Sequence, residues 1–275
     1  MSKFLESIKL AFFVAKQIFK KMTFNNKWNK FWTIAQWIWI SIFKIFEKNL
    51  DYRDLEDKLK WWKEVREILE LKKVPDYTTI NRNLRKITED MMSKVNSLLL
   101  SLFWEELSWI SAEDTTWLKE DNRSSYYSKR SWKKRKKFTK LWLSVDINCL
   151  ALYWFCSWSW PWSDVKYWEK LKLLTLDKNI WVRLKDAWFD WWNNIEDVVP
   201  PVARWWSIKS INRIERKNEL ELLKECWLFW YRWTVETVYS VIKRKFTDSV
   251  REKLNSSKIT MSNLIALVYM VRLWF

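Results

Sequence analysis

Three acidic residues stand in contexts suited to phosphodiester chemistry. Asp114 ends a short β-prone run and precedes Thr115-Thr116. Asp186 follows the strand-like Trp181-Val-Arg-Leu-Lys and precedes Ala187-Trp-Phe-Asp190. Glu236 sits inside a helical stretch from Tyr231 to Lys245. The chain has no His at all, which excludes Ser-His-Asp triads, Cys-His pairs and imidazole-bound zinc. Carboxylates without imidazole suit hard, oxygen-preferring cations such as Mg²⁺. Two such ions can activate a water or sugar hydroxyl and stabilise the oxygen leaving a phosphodiester.

The spacing around Glu236 adds to this. Arg232, Glu236 and Lys243 lie four and seven residues apart, so they share one helix face. Val235, Val238 and Ile242 supply the apolar side. A carboxylate between two cations is a surface that can hold a metal and meet a phosphate backbone. An ordinary amphipathic helix with an i,i+4 salt bridge has the same spacing. A second cationic feature is the run from Lys129 to Lys140, eight cations in twelve residues, with Lys133, Lys134, Arg135, Lys136 and Lys137 consecutive. Such a run makes a strongly salt-dependent polyanion contact, or else a solvated hairpin tip.

Stepping outward, the 275 residues suit one large or two ordinary domains, with ample material for a core. The net charge of +17 points to nucleic acid. Cys149, Cys156 and Cys226 form no CxxC pair, which fits a reduced, cytoplasmic setting. The longest apolar run, Phe31 to Phe43, is short and interrupted by Gln36 and Ser41, so no membrane span is expected. Met1 to Met22 reads as an amphipathic helix, not a signal peptide.

Glycine is absent, where ordinary usage would give roughly 19 in this length, while Trp occurs 26 times. The excess Trp is close to the missing Gly plus a normal share of His. Many Trp therefore read as standing where a parent sequence had Gly or His. Trp154, Trp158, Trp160, Trp162 and the pair Trp205-Trp206 lie in turn-like contexts. A Cβ in a left-handed turn position costs energy that Gly avoids.

Residues 1–105 read as helical. Ile34, Ile38, Ile42 and Ile45 recur at helical spacing, Asp51 can cap a helix over Leu55 and Leu59, and Pro75-Asp76 breaks the chain before Tyr77. In the helix after it, Ile80, Leu84 and Ile87 face one way and leave Asn81, Arg82, Asn83 and Arg85 polar. A short helix after a turn, with Arg82 and Arg85 exposed, suits DNA reading or a solvated bundle face. Strands follow at Leu107 to Glu113, Phe138 to Leu150, Ala151 to Cys156 and Asn179 to Leu184. Helices are expected from Ser163 to Leu174, Glu215 to Cys226, Tyr231 to Phe246 and Met261 to Phe275. The fold class is α/β (α+β).

The pattern Arg232-x3-Glu236-x6-Lys243 resembles the closing motif of the DDE transposases of bacterial and archaeal insertion sequences. That family often has Tyr three residues before the Arg; this chain has Phe229, with Tyr231 nearby. Ala-Glu-Asp114-Thr-Thr-Trp-Leu is similar to the family's first motif, and Leu-Lys-Asp186-Ala-Trp-Phe-Asp190 to its second. The segment Lys-Phe-Thr-Lys-Leu-Trp-Leu-Ser-Val-Asp146 and Pro200-Pro201 also match family segments. Trp117, Trp142 and Trp188 fall where the family has Gly, His and Gly.

The resemblance implies a ribonuclease-H-like catalytic domain over 106–275, preceded by a helical DNA-binding region over 1–105. It implies that Asp114, Asp186 and Glu236 bind two Mg²⁺, for which Mn²⁺ can substitute. The implied activity nicks double-stranded DNA at the element's terminal inverted repeats, then joins the freed 3′-hydroxyl to target DNA. The implied setting is a homodimer on DNA at the nucleoid. Trp117 and Trp188 are expected to crowd the acids and impair this chain. The alternative is a catalytically inactive DNA-binding derivative, whose binding needs no Mg²⁺.

Overall fold

The first half of the chain announces its helices by their caps. Lys3–Phe19 forms α1, an amphipathic helix as expected. Thr33 begins α2, Ile34–Phe46, through a capping box with Gln36. Asp51 accepts from Arg53 and Asp54 main-chain nitrogens and starts α3, Tyr52–Trp61. The short α4, Lys63–Ile68, follows. Asp76 caps α5, Tyr77–Leu84, and Thr88 caps α6, Glu89–Ser101. The computed structural model describes residues 3–20, 22–23, 32–120, 138–158, 173–175, 180–185, 197–198 and 211–273.

α2 is mostly apolar and buried from Ile34 to Ile45, its Gln36, Ser41 and Lys44 included. Its neighbours include α1, α5 and the last helix of the chain. The hydrophobic core is continuous from α1 through the sheet to that last helix. Asn96 of α6 donates to the main-chain oxygen of Leu152 at 3.0 Å, tying the helices to the sheet.

The second half is a mixed sheet with helices. Its strands are β1 (Ile110–Glu120), β2 (Phe138–Asp146), β3 (Leu152–Trp158), β4 (Val182–Lys185), β5 (Asp197–Val198) and β6 (Ser249–Val250). The spatial order is β3-β2-β1-β4-β5, with β6 also beside β1. β2 runs antiparallel to both β1 and β3, whereas β4 is parallel to β1 and to β5. Three further helices are α7 (Ile211–Glu225), α8 (Trp233–Lys245) and α9 (Asn255–Leu273). Among the described residues no helix is long and apolar enough to cross a membrane.

Two expectations change here. The first strand does not stop at Asp114, which is the fifth of eleven residues in β1. Asp114-Thr115-Thr116 interrupts the apolar pattern, but its backbone keeps the β2 ladder through Lys119. Nor are Trp154 and Trp158 turn residues: both lie in β3, paired with Ser144 and Lys140. Trp117 is also extended, opposite Lys140, so a Cβ there strains nothing. Trp160, Trp162, Trp188, Trp205, Trp206 and the helix expected from Ser163 lie outside the described residues, apart from 173–175.

Two other Trp lie in the left-handed region, as do Lys20, Lys48, Asn49, Glu70 and Leu150. Trp109 and Trp227 both have φ of 62°. Trp227 lies second after the end of α7, and its N–H donates to the Lys224 carbonyl at 3.0 Å. This is a helix-ending position where Gly is favoured. The left-handed conformation costs a residue with a Cβ about 1–2 kcal/mol. Trp227 is 73% exposed, so little packing is lost by removing it. Trp227→Gly is therefore expected to raise Tm by about 2–4 °C; thermal unfolding checks it, and a lower Tm contradicts it.

Candidate functional site

The site is built on β1, the central strand. Asp114 is half-buried there. On the edge of β1 away from β2, β4 pairs through Glu113↔Lys185, and β6 takes over at Lys119↔Ser249. Asp114 is the next residue along β1 after Glu113, which pairs with the last described residue of β4.

α8 packs against β1 and β2. Val235, Val238, Tyr239 and Ile242 form its buried stripe, as the sequence periodicity requires. The Tyr239 hydroxyl donates to the main-chain oxygen of Asp114. It also lies 3.5 Å from the Leu141 carbonyl. Glu236 lies three residues before Tyr239, one turn along the helix. The helix carrying the third acid is therefore fastened to the residue carrying the first. Glu236 is exposed, while Arg232, in the 3₁₀ turn Leu228–Arg232 that leads into α8, approaches it at 3.5 Å.

Lys243, two turns further, is half-buried. Burial lowers its pKa from the ordinary lysine value, while Asp248 pulls the other way. Asp248 itself pairs with Lys119 of β1 at 2.6 Å. The sequence motif thus runs from the 3₁₀ turn into α8, which packs against β1.

The remaining expected residues divide sharply. Asp186 is the next residue after Lys185 and lies outside the described residues, as do Lys133, Lys134, Arg135, Lys136 and Lys137. Among the described residues no three Asp, Glu or Cys form a group able to hold a metal ion. Arg82 and Arg85 are exposed at the end of α5, as expected, but Asn83 is fully buried. Its amide turns back to the Thr79 carbonyl at 3.0 Å, so it is no part of a reading face.

Three residues that the sequence did not single out for the site lie on β1 and β2 or bond to them. Tyr239 is the first. The second is Asp146, expected only as a family-like strand residue. It is fully buried and ends β2. One carboxylate oxygen accepts from Ser108 N and Oγ at 2.8 Å each and from the Tyr153 hydroxyl at 2.7 Å. The other accepts from Asn148 N at 2.8 Å and Cys149 N at 3.0 Å. Asp146 is thus a staple between the approach to β1 and the β2–β3 turn. Burial, with the Asp146 carboxylate beside it, pushes the Cys149 thiol up to about 12, so it stays protonated at neutral pH.

The third is Glu113, buried on the face of the sheet opposite Asp114. Its carboxylate meets Arg183 at 2.8 Å, Lys185 at 3.4 Å and the Ser144 hydroxyl at 3.2 Å. Burial alone would raise its pKa, but Lys185 and Arg183 outweigh that and hold it below the ordinary glutamate value. The sequence signal was the alternation Arg183-Leu-Lys185, which puts two cations on one face of a strand.

Comparison with protein-family models, with curated proteins and with solved structures gives no match.

Proposed function

We propose that the chain is a DDE-type insertion-sequence transposase that cleaves DNA strands at element ends and transfers the 3′-hydroxyl ends to target DNA. The observation that carries this reading is the fastening of the Glu236 helix onto Asp114 through Tyr239. The sheet supports it too. A mixed sheet ordered β3-β2-β1-β4-β5, with only β2 reversed against its neighbours, is compatible with the α+β catalytic domain that the resemblance implies. The net charge of +17 suits a DNA substrate.

The donor set fits hard divalent cations, because it offers carboxylate oxygens and no imidazole. Asp114, Asp186 and Glu236 would hold two Mg²⁺, which supply Lewis-acid stabilisation of charge at a phosphodiester. Arg232 orients the Glu236 carboxylate from the preceding turn. Lys243 and the basic segment around Lys133 to Lys137 would hold the DNA backbone, and the exposed Arg82 and Arg85 would meet DNA from α5.

The test is nicking of a supercoiled plasmid carrying the DNA that flanks the gene, with Mg²⁺ or Mn²⁺, beside Asp186→Asn. Metal-dependent nicking that Asp186→Asn loses is the expected result. DNA binding without nicking overturns the enzymatic reading and leaves a DNA-binding derivative.

A further inference from the structure

Two stretches far apart in sequence meet where the helices join the sheet. The first is the end of α5, where Arg85 is the capping residue and both Arg82 and Arg85 are exposed. The second is the connection Arg251-Glu-Lys253 between β6 and α9. Its charges divide: Glu252 is buried, while Arg251 and Lys253 are exposed. Glu252 turns inward, to Lys44 of α2 at 3.6 Å, and accepts from the Tyr52 hydroxyl of α3 at 3.3 Å. The Thr260 hydroxyl of α9 donates to the main-chain oxygen of Ile87, two residues after Arg85, at 3.4 Å. The same tyrosine feels both stretches. Burial and the Glu252 charge raise the Tyr52 pKa, and the Arg85 charge opposes them.

The acids around this junction are already engaged. Glu252 holds Lys44, Asp51 caps α3, and Asp248 pairs with Lys119 at 2.6 Å. Exposed cations are left on both stretches. Helix electrostatics accounts for only one of the two. Arg85 ends α5, where the macrodipole favours a cation. Arg251 and Lys253 stand just before α9, at the end where it disfavours one. Cations placed there suit an external anion.

We infer that Arg85, Arg251 and Lys253 form one cationic surface across this junction, which holds the sugar-phosphate backbone of a DNA duplex. The inference extends the DNA contact proposed for α5 to the sheet half of the chain. It rests on that reading for the identity of the polyanion and on none of the strand-cleavage chemistry. Phosphate contacts position a duplex without reading its sequence. The surface therefore takes any duplex, and it needs no metal.

The test is binding of a fluorescein-labelled duplex of unrelated sequence, followed by anisotropy across a salt series without divalent metal. Combining Arg251→Gln with Lys253→Gln is expected to flatten the slope of log affinity against log salt by about 1.8, at about 0.9 for each cation removed. A fourfold rise in salt then weakens the wild type about 12-fold more than the double variant. Adding Arg85→Gln should flatten the slope by about 0.9 more. Two controls should leave it unchanged. Arg251→Lys with Lys253→Arg keeps both charges, and Lys63→Gln removes a cation that pairs with Glu67 of its own helix. The substituted side chains of the surface are exposed, so Tm should stay near that of the wild type. An unchanged slope in the double variant, or an equal change in Lys63→Gln, overturns the surface. More than one duplex bound per chain overturns its being a single surface. If the wild type binds no duplex, the surface and the DNA reading fall together. If the slopes follow this pattern but the wild type does not nick DNA, the transposase reading falls and the surface stands.

Discussion

Asp114→Asn is expected to abolish metal-dependent nicking, by about 1,000-fold or more, while leaving DNA binding and Tm nearly unchanged. The size follows from the role. A carboxylate that holds a catalytic cation contributes several kcal/mol of transition-state stabilisation, and about 1.4 kcal/mol is tenfold in rate. The selectivity follows from the place. Asp114 is half-buried within β1, and the bond that fastens α8 goes to its main chain, which Asn retains. Glu236→Gln should behave alike, because Glu236 is exposed and contacts Arg232 only at 3.5 Å. Activities normalised to folded, DNA-bound protein check both. Retention of a tenth of the wild-type rate by either variant would contradict the role assigned to it.

The second large effect is on stability. Asp146→Asn replaces one carboxylate oxygen by an NH₂ group that cannot accept. Every hydrogen bond at both oxygens runs from a donor of Ser108, Tyr153, Asn148 or Cys149. The amide therefore loses two or three bonds and sets donor against donor in a fully buried place. Hydrogen bonds to charged groups contribute about 1.5–3 kcal/mol each, so a loss of about 3–5 kcal/mol is expected. For a chain of this size that lowers Tm by about 10 °C. Thermal unfolding of Asp146→Asn beside Asp114→Asn separates the two acids: one holds the fold, the other serves the chemistry. A Tm for Asp146→Asn within 2 °C of wild type would show that the staple carries little.

Much of this architecture was legible because it is local. Asp51 caps the helix expected from it, a helix opens after the expected break at Pro75-Asp76, and the apolar periodicity of Ile34 to Ile45 marks α2. What escaped was long-range. Glu113 and Arg183 are 70 positions apart, and Tyr239 reaches 125 positions back to Asp114. Nothing in either neighbourhood names the partner. Asp114 was mistaken for a strand end because three polar residues in a row resemble a turn, whereas the sheet carries them through on ladder bonds to β2. The Trp anomaly was legible as composition. Its left-handed positions, Trp109 and Trp227, depend on helix and strand endings that composition does not reveal.

We propose that Asp114, Asp186 and Glu236 converge on one cation site. Fe²⁺ bound in place of Mg²⁺ generates hydroxyl radicals with ascorbate and peroxide, and these cut the polypeptide beside the metal. Scission is expected near residues 114, 186 and 236 together, suppressed by excess Mg²⁺ and lost in Asp114→Asn. Cuts elsewhere, or cuts near 114 and 236 without 186, would contradict it.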